Sequence, residues 1–259
     1  MRFLSYLSPG FPRSLFELLA DAAGGDVSFD ETLSGPAPGE DPFLDGTTDF
    51  GWICSTSYVD LSTRAPDPTI QLAGVAWVPD DPDANGRPIY FGDLVVRSDS
   101  SIRSFEDLAG LRIGCNDPVS LSGHHSLRFA MHDRGLDQDT FAELIFTGGH
   151  HTSLDMVMAR DIDAAVIDSV VRTARARLEP RVGDLKVIER LGPWPVQPLV
   201  ARSTLPTDQV DVVRRLILRA AERPDIKAQL DAAALSHLVE IGPEHYQDVE
   251  AAMTRVRRA

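Results

Sequence analysis

The chain has 259 residues, 43% hydrophobic and 25% charged, which is enough for a full core in one large domain or in two smaller lobes. Its 25 Lys and Arg against 39 Asp and Glu leave a formal charge of -14. That balance repels polyanions over most of the surface and excludes nucleic acid and anionic lipid as expected partners. Any anion site is therefore built locally, because amides and helix ends act at short range while salt screens distant carboxylates.

The elements alternate. A strand over 2–7 stops at the Ser8-Pro9-Gly10 turn, and a helix over 12–23 follows with Leu15, Leu18, Leu19 and Ala22 on one face. An extended stretch over 26–33 leads into a Gly/Pro-rich loop through Pro42. Residues 49–54 read as a buried strand ending at Ser55-Thr56-Ser57, a hydroxyl-rich helix start. Strands over 70–78 and 90–97 flank a loop dense in Asp, Pro, Asn and Gly at 79–88. Residues 100–108 are a turn and a short helix. A strand over 111–115 ends in DPVSLSGHH, where Ser120 is a suitable N-cap for a helix over 121–133. Strand 144–146 ends in TGGHHTSLD, with a capping-box spacing from Thr152 to Asp155. Strand 163–167, helix 169–178 and strand 185–190 come next. The Pro-rich segment at 192–198 reads as a stiff crossing rather than a central strand or helix. From 207 to 258 the pattern is helical, with Val212, Leu216, Ile217, Ala220, Ala233, Leu235 and Leu238 as core candidates. Strand and helix in turn imply an α/β fold with mainly parallel sheets.

Two strand-to-helix turns in succession, at 117–125 and 147–155, can direct two helix N-termini at one small anion. The two cysteines, Cys54 and Cys115, are far apart and belong to no zinc-like spacing. Adjacent histidines in 124–125 and 150–151 point about 100° apart on a helix and do not chelate together, though one from each pair could; no metal or cofactor is expected. The apolar run at the N-terminus is too short for a signal-peptide core, and no other run reaches the length of a membrane span. The expectation is a cytoplasmic protein as the sequence is written, or a periplasmic or cell-surface one if it is a trimmed mature form.

The run YFGDLVVRSDSSIRSFEDLAGLRIGCNDPVSLSGHHSLRFAM, followed by FTGGHHTSLDMVMARDIDAAVID, resembles the phosphate/phosphonate-binding family of solute-binding proteins of ABC transporters. The resemblance spans about residues 49–198. It implies a two-lobed fold of the type II periplasmic-binding-protein kind, with residues 1–97 and 196–259 forming lobe one, 98–195 forming lobe two and a ligand cleft between them. It also implies a monomer that passes a small anionic ligand to a transporter permease. Carried over by position, the ligand-binding residues are Tyr90, Ser120, Leu121, Ser122 and His150, with Ile53, Ser55, Asp168 and Gln197 as further cleft positions. Leu121 stands where the family has Thr. Members that take an amino-phosphonate place acids at the positions of Val170 and Gln197, so the ligand expected here lacks a cationic amine. Two alternatives stay open: a cytoplasmic enzyme on the same scaffold, of thiamine-pyrimidine or menaquinone-pathway type, with Cys54, Cys115, His150 or Asp168 as its candidate groups, and a cytoplasmic ligand sensor. No nucleophile, base and orienter share a recognisable spacing, which favours binding over catalysis.

Overall fold

The computed structural model describes residues 1–7, 10–32, 41–44, 46–64 and 66–257. The turn at Ser8 and Pro9, the Gly/Pro-rich loop at 33–40 and the terminal Arg258 lie outside the described residues. In chain order the structure runs β1 (Arg2–Ser5), α1 (Arg13–Ala22), β2 (Ser28–Glu31), β3 (Phe50–Trp52), α2 (Ser55–Ser62), β4 (Ile70–Pro79) and β5 (Ile89–Arg97). It continues with β6 (Arg112–Cys115), a π-helical turn (Leu121–His125), α3 (Ser126–Asp133), β7 (Glu143–Phe146), α4 (His150–Ala159), β8 (Ala164–Asp168), α5 (Ser169–Leu178) and β9 (Leu185–Pro195). The last elements are β10 (Leu199–Arg202), α6 (Thr207–Ala220), α7 (Pro224–Ala232), β11 (Leu235–Glu240) and α8 (Gln247–Arg257).

The chain forms two compact units: Met1–Ile89 with Pro195–Glu250, and Tyr90–Trp194 with the end of the chain from Ala251. The first carries a six-stranded sheet in the order β11-β4-β10-β3-β1-β2. Strand β1 is parallel to β2 and β3, whereas β10 is antiparallel to β3 and β4, and β11 is antiparallel to β4. The second carries β7-β6-β8-β5-β9, with β6 parallel to β7 and β8 and β5 antiparallel to β8. Both sheets are therefore mixed rather than mainly parallel, because β10 and β5 run against their neighbours. Residues 90–97, expected in lobe one, form β5 and pair with β8, so they belong to the second unit.

The first core is aromatic. Trp52 packs 5.2 Å from Phe16 and 5.6 Å from Phe3, and Trp77 lies 4.9 Å from Phe11, all ring to ring. Each such pair adds about 0.5–1.5 kcal/mol beyond the area it buries. Helix α1 buries Leu15, Phe16, Leu19 and Ala20, a face rotated slightly from the expected one. In the second unit β5 alternates as a strand must: Leu94 and Val96 face a cluster with Ile113, Cys115, Leu127 and Met131, while Val95 faces Leu154, Val157 and Ile167 on the other side. Asp93, fully buried on the same strand, is held between Arg172 Nε at 2.6 Å and Arg190 Nε at 2.9 Å.

Three further readings are corrected. The C-terminal region is not helical throughout: β11 interrupts it, with Leu235 and Leu238 buried between exposed Ser236 and His237. Helix α6 buries Val210, Val213, Ile217 and Ala220, and leaves Val212 and Leu216 exposed. Its sequence carries two apolar stripes, and packing selects the other one. Strand β9 continues through Pro193 and Pro195, which an edge position permits because no inner ladder needs their missing N–H groups.

Candidate functional site

The predicted residues of the second unit gather at the C-terminal ends of its parallel strands, where α/β sheets place their ligands. Strand β6 ends at Cys115, and Asp117 Oδ1 then accepts from Val119 N at 2.7 Å to close a turn. Ser120 caps the next turn, its Oγ accepting from Gly123 N at 3.1 Å. His125 N donates to Ser120 O at 2.9 Å, so the first turn after the cap is π-wide before α3 begins. Leu121 fills the interior, and Ser122 is 2% exposed.

Two glycines allow this turn to sit so low. A Cβ at Gly92 of β5 would lie 2.6 Å from Ser122 O and 2.7 Å from Ser126 Oγ. A Cβ at Gly123 would lie 1.8 Å from Asn116 Oδ1 and 3.0 Å from His150 Cε1. Gly92 is paired with Asp168 across β5 and β8, and Tyr90, two residues earlier on β5, shares its face. Tyr90, Ser120, Ser122, His150 and Asp168 are thus brought together within one unit.

His150 opens α4 directly after Gly149, and Thr147 Oγ1 lies 2.6 Å from Ser153 Oγ, bracing the glycine turn. The helix thus starts two residues before the expected Thr152 cap, and Thr152 and Asp155 are interior to it. No side chain caps this helix. The His150 ring receives a hydrogen bond at Nδ1 from Asp168 N at 3.4 Å. An Nδ1 that accepts places the ring proton on Nε2. Burial, with the nearby His151, pulls the His150 pKa down to about 3. Near neutrality the ring is an uncharged single donor.

Asp168 Oδ1 accepts from Val170 N at 2.8 Å and Val171 N at 3.3 Å, so its carboxylate serves as the N-cap of α5. In the first unit Ile53 N donates to Pro198 O at 3.3 Å, and Ser55 Oγ donates to Pro195 O at 3.0 Å and Val196 O at 3.2 Å. The one hydroxyl proton of Ser55 is therefore directed at the segment that carries Gln197. Ile53 is wholly buried and Gln197 is 4% exposed. Burial pushes the Cys115 thiol up to about 12, far from a reactive thiolate. Among the described residues no group of three His, Cys, Asp or Glu is placed to hold a metal ion, and no helix is long and apolar enough to cross a membrane.

Sequence reading missed Asn116 and Gly92. Gly92 carried a usable signal, since a glycine inside a strand marks close backbone approach. Asn116 carried none.

The family profile described as "ABC transporter, phosphonate, periplasmic substrate-binding protein" matches residues 19–246. The chain belongs to this family. It is 26% identical over 157 residues to the phosphonates-binding periplasmic protein of Escherichia coli strain K12, an alignment that takes in 57% of this chain and 45% of that protein, so the matched part spans less than half the length of its curated relative. Among solved structures, the binding component of a Pseudomonas aeruginosa ABC phosphonate transporter superposes with a TM-score of 0.82 at 18% identity, covering 100% of this chain and 86% of that one. A Prochlorococcus marinus protein in complex with methylphosphonate superposes with a TM-score of 0.76 at 14% identity, covering 100% and 98%. At such identities these likenesses show the fold, the two-lobed type II periplasmic-binding-protein architecture.

Proposed function

We propose that this chain is the substrate-binding component of an ABC importer for a small phosphonate-like oxyanion without a cationic amine. It acts as a monomer in the periplasm and delivers its ligand to a permease. The observation that carries the reading is the convergence of the Ser120 turn with His150 as a neutral Nε2–H donor, both at the C-terminal ends of parallel strands. Hydroxyls, amides and an uncharged imidazole suit a compact oxyanion. Tyr90, Ser120, Ser122 and His150 grip the ligand, with the backbone of Leu121 in the same turn. Capture by closure on the anion is part of the same proposal. Val170 and Gln197 offer no charge to an ammonium group.

A thermal-shift panel of phosphate, phosphite, methylphosphonate, larger phosphonates, 2-aminoethylphosphonate and sulfate tests the reading. A ligand at 100 times its dissociation constant stabilises the protein by about 2.7 kcal/mol. The expected result is a shift with one or more amine-free phosphorus oxyanions, abolished in Ser120→Ala/His150→Ala. Silence from every oxyanion, or the same shift in the double variant, would sink it.

A further inference from the structure

Asn116 stands out among the residues of the second unit that surround the turn. Its Oδ1 is buried without a hydrogen-bond partner, although it sits at the end of β6 in a region rich in donors. It lies under Gly123, so close that only a glycine fits above it, and His150 Cε1 borders the same point. A buried acceptor without a donor is costly, and native structures seldom leave one so. The groups proposed above to hold the ligand are mainly of the opposite character: the turn amides and His150 Nε2–H are donors, suited to the bare oxygens of an anion. One acceptor among donors matches an anion that itself carries a hydrogen.

Resting on the oxyanion reading above, we propose that Asn116 Oδ1 accepts a hydrogen bond from a protonated oxygen of the ligand, so that the site selects hydrogen-phosphonate-type anions. A phosphonate or phosphate keeps one P–OH around neutrality, whereas sulfate and alkylsulfonates keep none. Asn116 is thus a specificity residue: it adds to the affinity for a protonated oxyanion and subtracts from that for a fully ionised one, whose oxygen would face its own lone pairs. The same contact makes binding weaken as the ligand loses its last proton.

The neighbouring histidines do not mimic this behaviour. His150 borders the same point as Asn116, Asp168 meets the His150 ring through its backbone N–H, and Asp117 and His124 are the titratable residues of the turn that follows Asn116. Burial holds His124 below its ordinary pKa and His150 at about 3. Asp117 and Asp168 already accept backbone amides.

The test is calorimetric titration of the full chain with methylphosphonate and with methanesulfonate, close in shape, on both sides of the second ionisation of methylphosphonate. Wild type is expected to prefer methylphosphonate by at least about tenfold while it carries its proton, and to lose most of that preference once the proton is gone. Asn116→Leu, similar in size but without an acceptor, is expected to bring the two ligands within about threefold of each other and to flatten the pH dependence. Equal wild-type affinities for the two would overturn the inference without any variant being needed. Tighter binding of the doubly ionised ligand would overturn it too, since the amide group and not the oxygen would then face the anion. If no phosphorus oxyanion binds wild type, the oxyanion reading itself has failed. If methylphosphonate binds but Asn116→Leu keeps the full discrimination, only the role of Asn116 has.

Discussion

Gly123→Ala is the sharpest probe of how the second unit is assembled, because its cost is set by one contact. The added methyl would stand 1.8 Å from Asn116 Oδ1 and 3.0 Å from His150 Cε1. The first distance is impossible, and the second requires the ring to give slightly. In an open helix the same change would gain up to about 1 kcal/mol from propensity. Against that, forcing a methyl into a filled site costs typically about 1–3 kcal/mol. The net expectation is a loss of about 1–2 kcal/mol, a fall in melting temperature of about 3–6 °C. Removing the obstructing group should reverse the sign: in an Asn116→Ala background, Gly123→Ala should be neutral or stabilising. A double-mutant cycle by urea denaturation reads the coupling directly, and contacting residues of this kind couple by about 0.5–3 kcal/mol. Additive effects across the cycle would refute the reasoning, because they would show that the methyl does not meet Asn116.

Two further perturbations test the electrostatics of the second unit. His150 is held neutral in the folded state with a pKa of about 3, so below the ordinary imidazole range the unfolded chain binds a proton that the folded one does not. Stability is therefore full above about pH 6.5 and is lost as pH falls toward 3, by about 1–2 kcal/mol from this ring between pH 7 and 5. Urea melts at both values should show a smaller acid loss in His150→Gln, and a ring resonance of His150 titrating near pH 6.5 would contradict the assignment. Asp93→Ala leaves Arg172 and Arg190 facing each other without the buried carboxylate between them. Each arginine keeps about a quarter of its side chain in water, which places the cost near the low end of the range for breaking a buried pair, about 3 kcal/mol. A loss below about 1 kcal/mol in denaturant would mean that solvent already screens the pair.

Much of this architecture is legible in the sequence. The strand, Asp-Pro turn and Ser120 cap of 111–133 are local signals, and each is realised where the sequence put it. Helix α5 has its predicted bounds because Asp168 ends a strand and caps a helix at once. The failures share a cause, which is that the deciding contact is not local. Thr152 to Asp155 has the spacing of a capping box, yet α4 begins at His150, where the ring meets Asp168 N from a different strand. LSHLVE is a strand only because β4 is there to receive it. Val212 and Leu216 lie on a plausible apolar stripe of α6, and only the sheet beneath decides which stripe is buried. Asn116 is the extreme case: its meaning depends on Gly123 seven residues later and His150 thirty-four residues later.

The neutrality of His150 reaches beyond the site itself. On the reading proposed above, a ligand held by hydroxyls, amides and an uncharged ring breaks no ion pair when it leaves, so its rate of escape owes little to ionic strength. Its approach is another matter, since an anion nearing a chain of charge -14 is repelled until it comes within reach of those dipoles. Salt shortens that repulsion. On that reading capture should quicken as salt rises, the reverse of an anion drawn in by arginines and lysines.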